Sequence, residues 1–126
     1  MPSSKSQQTA RRKSVASGQI SEQKVAALYE QEGFAILECN WRAGHKEIDL
    51  IVRKGDLLVF VEVKSGRSKK FGHPAEKVTQ KKISNLVEAA SRYVADRDIT
   101  GCDFRFDVVT LTNGEIEFFP GAFSVE

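Results

Sequence analysis

Two apolar runs separated by a turn signal do most to limit the fold of this chain. The runs are residues 47–52 and 57–64, and Lys54-Gly55-Asp56 lies between them. Both runs are rich in strand-forming residues, and glycine permits a tight reversal of the chain. The pattern therefore predicts an antiparallel hairpin in the middle of the sequence.

Charged residues interrupt these predicted strands where apolar residues would be typical. With a two-residue loop, Asp49 faces Glu62 and Glu47 faces Lys64. Opposite side chains lie about 5 Å apart at Cβ, and alternation places Glu62 and Lys64 on one face. Facing carboxylates repel, and a divalent cation such as Mg²⁺ would offset that repulsion. Alternatively, Glu62 and Lys64 are solvated surface residues, and a register shift of one residue would separate Asp49 from Glu62.

The length and composition of the chain fit one domain of a cytosolic protein. Its 126 residues are 40% hydrophobic, which is enough for one modest core. No apolar run is long enough to span a bilayer, and the N-terminal region lacks signal-peptide character. The two cysteines, Cys39 and Cys102, lie far apart, as is typical of proteins in a reduced compartment. We therefore expect a cytoplasmic protein that does not insert into membranes.

Basic residues are concentrated in two regions. Residues 1–17 contain only basic charges, and their composition predicts a disordered tail ahead of a domain spanning residues 18–126. Residues 64–82 carry a net charge of +6. The side chains predicted to contact nucleic acid there are Arg67, Lys69, Lys70, Lys81 and Lys82. A solvated helix face is the alternative, but the position of this stretch directly after the carboxylates favours a phosphate backbone.

The predicted elements follow the order helix, three strands, helix, two strands. An amphipathic helix over residues 20–32 ends at Gly33, and a strand follows over residues 34–42. Pro74 predicts the start of a second helix that runs to about Arg97 with one buried apolar stripe. A second hairpin, residues 104–112 and 115–119, closes around Asn113-Gly114. The predicted fold class is α/β, with a mixed sheet of about five strands flanked by two helices.

Several segments together resemble one bacterial family. Asp49 followed by Glu62-Val63-Lys64 resembles the Asp...(Asp/Glu)-x-Lys signature of the PD-(D/E)XK nuclease superfamily. A wider set of segments resembles the YraN-type family, whose members are usually described as Holliday-junction-resolvase-like or as predicted endonucleases. These segments are residues 27–42, 47–51, 59–64, 71–72 and 105–109. The resemblance covers about residues 18–123 and implies a restriction-endonuclease-like core.

The resemblance implies a set of site residues. Asp49 and Glu62 would bind a metal ion with the main-chain carbonyl of Val63, and Lys64 would orient the attacking water or stabilise charge on the phosphate. Glu22 would be a further acidic ligand from the first helix, and a solvent-facing helix residue is its alternative reading. The implied cofactor is Mg²⁺ or Mn²⁺.

The expected function is that of a metal-dependent endonuclease acting on branched or structured DNA. The alternative is a nuclease fold that binds nucleic acid without turnover. Junction cutting would favour a homodimer in which two sites act on opposed strands. Lys46 stands where the family commonly has glycine, so it either narrows the site or adds a phosphate contact.

Overall fold

A five-stranded mixed sheet with one helix against each face forms the fold. The computed structural model describes residues 17–66 and 79–123. The elements are α1 (Ser17–Gln31), β1 (Ala35–Ala43), β2 (Lys46–Lys54), β3 (Leu57–Gly66), α2 (Gln80–Asp96), β4 (Asp103–Thr112) and β5 (Glu115–Phe123). The predicted α/β class and αβββαββ order are confirmed. The predicted tail and Pro74 lie outside the described residues.

The strands lie in the sheet in their sequence order, from β1 to β5. Neighbouring strands are antiparallel except for β3 and β4, which pair in parallel. Parallel pairing requires a long crossover between the two strands, and α2 lies within this one. Of the described helices, none has both the length and the apolar composition needed to cross a membrane.

The register of the central hairpin is the one that the turn signal predicts. Pairing runs from Lys54–Leu57 to Leu50–Val61. The ladder between β2 and β3 ends at that pair, so the predicted pairings of Asp49 with Glu62 and of Glu47 with Lys64 are wrong. Glu47 instead pairs with Arg42 of β1, and Lys64 pairs with Thr110 of β4. The two central strands therefore separate at one end.

Each face of the sheet carries its own apolar cluster, because alternate side chains of a strand point to opposite faces. The cluster under α2 comprises Ile48, Ile51, Leu58, Phe60, Leu86, Ala89, Ala90, Tyr93 and Phe106. The cluster under α1 comprises Val25, Tyr29, Leu50, Val52, Val59, Val61 and Val109. Burying each large apolar side chain contributes about 1.5–3 kcal/mol, so both helices are held firmly against the strands.

A buried polar network fixes α1 to β4. The Tyr29 hydroxyl donates a 2.7 Å hydrogen bond to Oδ2 of Asp107, which is only 2% exposed. Arg105 donates to the same carboxylate through Nε at 2.8 Å and a terminal nitrogen at 2.9 Å, and the Gly121 N–H donates at 3.0 Å. A buried carboxylate is costly unless it is paired in this way. The network therefore sets where α1 sits on the sheet.

The second helix begins later than the sequence pattern predicts. Thr79 has extended backbone angles and accepts a 3.1 Å hydrogen bond from the Lys82 N–H through its side chain, so the helix begins at Gln80. Threonine favours this N-cap position because its hydroxyl satisfies a free N–H group of the first turn. A helix running unbroken from Pro74 is therefore wrong. The cap also places Lys82 in the first turn of α2.

Candidate metal centre

The candidate site lies where β2 and β3 stop pairing. Leu50–Val61 is the last pair of their ladder, and Asp49 is the next residue of β2. The Asp49 carboxylate accepts a 2.7 Å hydrogen bond from the Val63 N–H. The Asp49 side chain thus accepts a hydrogen bond from the β3 backbone where the ladder between the two strands has ended. Its carboxylate lies at the fork, which is the point beyond Leu50 and Val61 where β2 and β3 diverge.

An irregularity in β2 decides which way Asp49 points. Ile48 and Ile51 both lie in the cluster under α2, although strict alternation would put them on opposite faces. Leu50 lies in the cluster under α1. The alternation is therefore broken between Ile48 and Ile51, and Asp49 lies close enough to Glu22 of α1 for the two carboxyl groups to interact. Strict alternation would have kept it on the α2 side with Glu62.

Glu22 reaches the fork from α1. It lies three residues before Val25 and seven before Tyr29, spacings that place all three on one helix face, and the other two are buried. The Glu22 carboxyl group interacts with the side chains of both Asp49 and Asn40. Burial raises the pKa of Glu22 to about 7, and the negative charge of Asp49 adds to the increase. Glu22 is therefore half-buried beside Asp49 and does not point into solvent.

Glu62 reaches the fork from the α2 side of β3. Its side chain is 4% exposed, and the Nζ atoms of Lys64 and Lys82 each lie 3.5 Å from its Oε2 atom. Burial raises the pKa of Glu62 to about 7, and the charge of Asp49 raises it further, whereas Lys82 and Lys64 oppose the increase. Two lysines from different elements therefore meet at one carboxylate oxygen.

Two buried oxygens at this fork have no hydrogen-bond partner among the described residues. They are Glu22 Oε1 and Glu62 Oε1. Asp49 acts electrostatically on both of these side chains, so it links Glu22 on one side with Glu62 on the other. Buried polar atoms are normally satisfied, and an unpartnered oxygen calls for an explanation such as an ion. A cation at the fork would offset the repulsion between Asp49 and each of these two carboxyl groups.

The donor set suits a hard divalent cation. Carboxylate oxygens are the ligands of Mg²⁺, which keeps several waters and takes only one or two carboxylates from a protein. In residues 17–66 and 79–123, no group of three or more His, Cys, Asp or Glu side chains has the spacing of a ready-made metal cage. An ion at the fork would therefore need water or substrate oxygens as further ligands.

The remaining predicted residues divide into those near the fork and those elsewhere. Lys82 lies at the fork, whereas Lys81 is an exposed residue of the same helical turn. Lys46, at the unusual family position, has its Nζ 3.6 Å from Glu88 of α2, so it pairs with that helix. Glu47 pairs with Arg42 at 3.7 Å. The other predicted nucleic-acid contacts, Arg67, Lys69 and Lys70, lie outside the described residues.

Sequence reasoning missed Asn40 as a neighbour of the site. Its side chain interacts with Glu22, and its backbone has a left-handed φ of 54°. The signal in the sequence is an asparagine inside a predicted strand, since asparagine is disfavoured in strands and tolerates positive φ. Only the pairing of β1 with β2 reveals that Asn40 lies opposite Asp49.

Comparison with known proteins agrees with the resemblance seen in the sequence. The model of the family described as "Uncharacterised protein family UPF0102" matches residues 21–111. A UPF0102 protein of Chloroherpeton thalassium is 42% identical over 77% of this chain and 75% of its own length. One of Sulfurihydrogenibium sp. is 38% identical over 86% of this chain and 95% of its own. A UPF0102 protein of Hahella chejuensis is 39% identical over 89% of this chain and 93% of its own length.

One solved structure shows a low similarity. Pyrococcus furiosus SfsA in complex with Ca²⁺ matches 77% of this chain and 58% of its own, with 16% identity and a TM-score of 0.30. A TM-score this low supports no inference about fold or activity.

Proposed function

The chain belongs to the uncharacterised protein family UPF0102, and we propose that it is a metal-dependent endonuclease that hydrolyses phosphodiester bonds in branched or otherwise structured DNA. The observation that carries the proposal is the pair of unpartnered buried oxygens, Glu22 Oε1 and Glu62 Oε1, on either side of Asp49. The two lysines that pair with Glu62 lie 3.5 Å from its other oxygen, Oε2. The two Oε1 atoms remain available to an added cation.

The metal ligands in this proposal are Asp49, Glu62 and Glu22, with the main-chain carbonyl of Val63. Mg²⁺ or Mn²⁺ held there would act as a Lewis acid on a phosphate oxygen and would lower the pKa of bound water. The Val63 N–H keeps the Asp49 carboxylate at the fork through its 2.7 Å hydrogen bond. Burial of Glu62 keeps bulk water from competing for its oxygens.

Lys64 and Lys82 are the phosphate-binding side chains nearest to these ligands. Both ammonium groups lie 3.5 Å from Glu62 Oε2 and remain partly exposed, at 35% and 39% of the side chain. Once a metal ion offsets the charge of Glu62, each lysine can turn to a phosphate oxygen of DNA. Lys64 is then placed to orient the attacking water or to stabilise negative charge as the phosphate is cleaved.

The basic stretch supplies binding to DNA but no sequence recognition. In this proposal Arg67, Lys69, Lys70 and Lys81 contact the phosphate backbone, with the salt dependence typical of such contacts. Phosphate contacts fix position on the duplex but do not read bases. Selectivity would therefore be for DNA structure, such as a junction or flap.

Cleavage of branched DNA by purified protein tests the proposal. With Mg²⁺ or Mn²⁺ we expect wild-type protein to cut, and Asp49→Asn to lose cutting while retaining DNA binding at low salt. Asp56→Asn is the matched control, because it removes the same charge from an exposed position in the β2–β3 turn. Equal cleavage by wild type and Asp49→Asn would show that the activity does not arise at the fork.

A second candidate function is nucleic-acid binding without turnover. It is favoured by the finding that the described residues contain no ready-made cage of three metal-ligating side chains. Calorimetric titration of Mn²⁺ into wild type and Asp49→Asn, with and without DNA, separates the two functions. Metal binding that depends on Asp49 supports the nuclease, whereas salt-sensitive DNA binding indifferent to metal supports the binding module.

A further inference from the structure

Asn40 has a backbone conformation that is unusual inside a strand. Its φ of 54° lies in the left-handed region, which side chains other than glycine rarely adopt, although asparagine tolerates it best. Asn40 lies between the pairs Cys39–Leu50 and Trp41–Ile48, so it stands opposite Asp49. Outliers of this kind are kept only where the surrounding structure over-determines them, and they cluster at functional sites.

The left-handed residue breaks the alternation of β1 at the same level as the break in β2. Glu38 accepts hydrogen bonds from Tyr93 at 3.4 Å and Arg97 at 3.0 Å, at the α2 side of the sheet. Trp41 also packs against the cluster under α2, although strict alternation would put it opposite Glu38. Asn40 between them faces Glu22 of α1. The alternation of side chains is thus broken at the same level in β1 and β2. As a result Asn40 and Asp49, which stand opposite each other, both lie toward the α1 side of the sheet.

We propose that Asn40 is a positioning residue of the metal centre, which holds the Glu22 carboxylate beside Asp49 through a hydrogen bond from its side-chain amide. This inference rests on the proposed function, since it assumes that Glu22 is a metal ligand. An amide is well suited to the task because its N–H donates to one carboxylate oxygen without adding a charge that would repel a cation. The other oxygen, Glu22 Oε1, has no hydrogen-bond partner among the described residues and is available to the ion.

A glycine at position 40 separates the two contributions of asparagine, which are its tolerance of positive φ and its side-chain amide. Glycine adopts positive φ without strain, so Asn40→Gly preserves the backbone and removes only the amide. Asn113 provides a matched control, since it also has a left-handed φ, of 51°, and lies in the exposed turn between β4 and β5. Asn113→Gly removes the same amide from the same backbone conformation far from the fork in sequence.

The test is calorimetric titration of Mn²⁺ alone into the full chain, with urea unfolding of each variant. We expect Asn40→Gly to weaken Mn²⁺ binding about 10- to 100-fold, the usual cost of losing a group that orients a metal ligand. Its unfolding midpoint should be equal to or above that of wild type. Asn113→Gly should bind Mn²⁺ as wild type does.

A double-mutant cycle with Glu22→Gln then shows whether Asn40 acts through Glu22. We expect Asn40→Gly to cause less than about a twofold further loss in the Glu22→Gln background, because effects that share one carboxylate are not additive. Wild-type Mn²⁺ affinity in Asn40→Gly, or a full additive loss in the double variant, would overturn the inference. Failure of wild type itself to bind Mn²⁺ would overturn the metal centre first, and the role of Asn40 in it as a consequence.

Discussion

Replacing Glu62 by glutamine should stabilise the metal-free protein at pH 8 and change its stability little near pH 4.5. Glu62 is 4% exposed, and burial is the main cause that raises its pKa to about 7 from an ordinary value of 4.5. A raised pKa means that the folded state binds this proton more tightly than the unfolded chain does. Stability is therefore lost as the pH rises from about 4.5 through 7, because ionisation then opposes folding. Glutamine keeps the shape of the protonated acid and cannot ionise.

The size of the effect follows from the two pKa values. A value of about 7 against 4.5 corresponds to about 3 kcal/mol once both states are ionised, at roughly 1.4 kcal/mol per pH unit. Asp49 interacts with Glu62, so removing the charge of Glu62 also relieves repulsion at Asp49. The pKa of about 7 already includes the opposing effect of Lys64 and Lys82. The two ion pairs that Glu62→Gln removes therefore need no separate correction. We expect a gain of about 1–3 kcal/mol at pH 8.

Urea unfolding followed by circular dichroism at pH 5 and pH 8, with a chelator present, measures this gain. Glu117→Gln is the control, because Glu117 is an exposed residue of β5 and loses the same charge. The control should follow the pH dependence of wild type. A Glu62→Gln variant that is less stable than wild type at pH 8, with an unchanged pH slope, would refute the burial argument. Added Mg²⁺ should stabilise wild type more at pH 8 than at pH 5 and should lose that effect in Glu62→Gln.

Two further perturbations probe the scaffold and the lysines. Tyr29→Phe should lower the free energy of unfolding by about 1–2 kcal/mol, since it removes a buried hydrogen bond to Asp107, and urea titration at pH 7 measures it. Lys82→Ala should slow single-turnover DNA cleavage roughly 100-fold, as expected for a group that stabilises transition-state charge. Lys81→Ala is the control, because it removes the same charge from an exposed position. Equal rates for the two lysine variants would assign Lys82 to general backbone binding.

Local signals in the sequence were sufficient for the fold, because each depends on a few neighbouring residues. The turn at Lys54-Gly55-Asp56 sets the register that the structure confirms, and Asn113-Gly114 marks the second hairpin. The start of α2 differs from the prediction because proline is tolerated in the first turn of a helix but does not fix where the helix begins. The Thr79 hydroxyl does so, because it accepts a hydrogen bond from an N–H of the first turn. An N-cap such as Thr79 sets the first residue of the helix even where the predicted helix extends further toward the N-terminus.

The site was harder to predict, because its geometry depends on departures from regular structure. Alternation alone keeps Asp49 on the α2 side with Glu62, and it gives no reason for contact with Glu22. The left-handed residue Asn40, on a different strand, accompanies the break that turns Asp49. The approach of Lys82 to Glu62 depends on how α2 docks on the sheet, and no spacing within α2 encodes that docking. Interactions between distant elements thus set the parts that the sequence pattern missed.

The parallel pairing of β3 with β4 has a consequence for how the protein folds. The hairpin β2–β3 closes through a turn of a few residues, whereas β4 can join β3 only after the chain that includes α2 has been ordered. Closing long loops costs entropy before any contact offsets it, so such pairings form late. Lys82 and the Asp107 anchor of α1 both belong to this late part of the chain. A nascent or partly folded chain would therefore hold Asp49 and Glu62 without Lys82 and without the Asp107 anchor of α1, and the full set of side chains at the fork would come together only with the final cooperative step of folding.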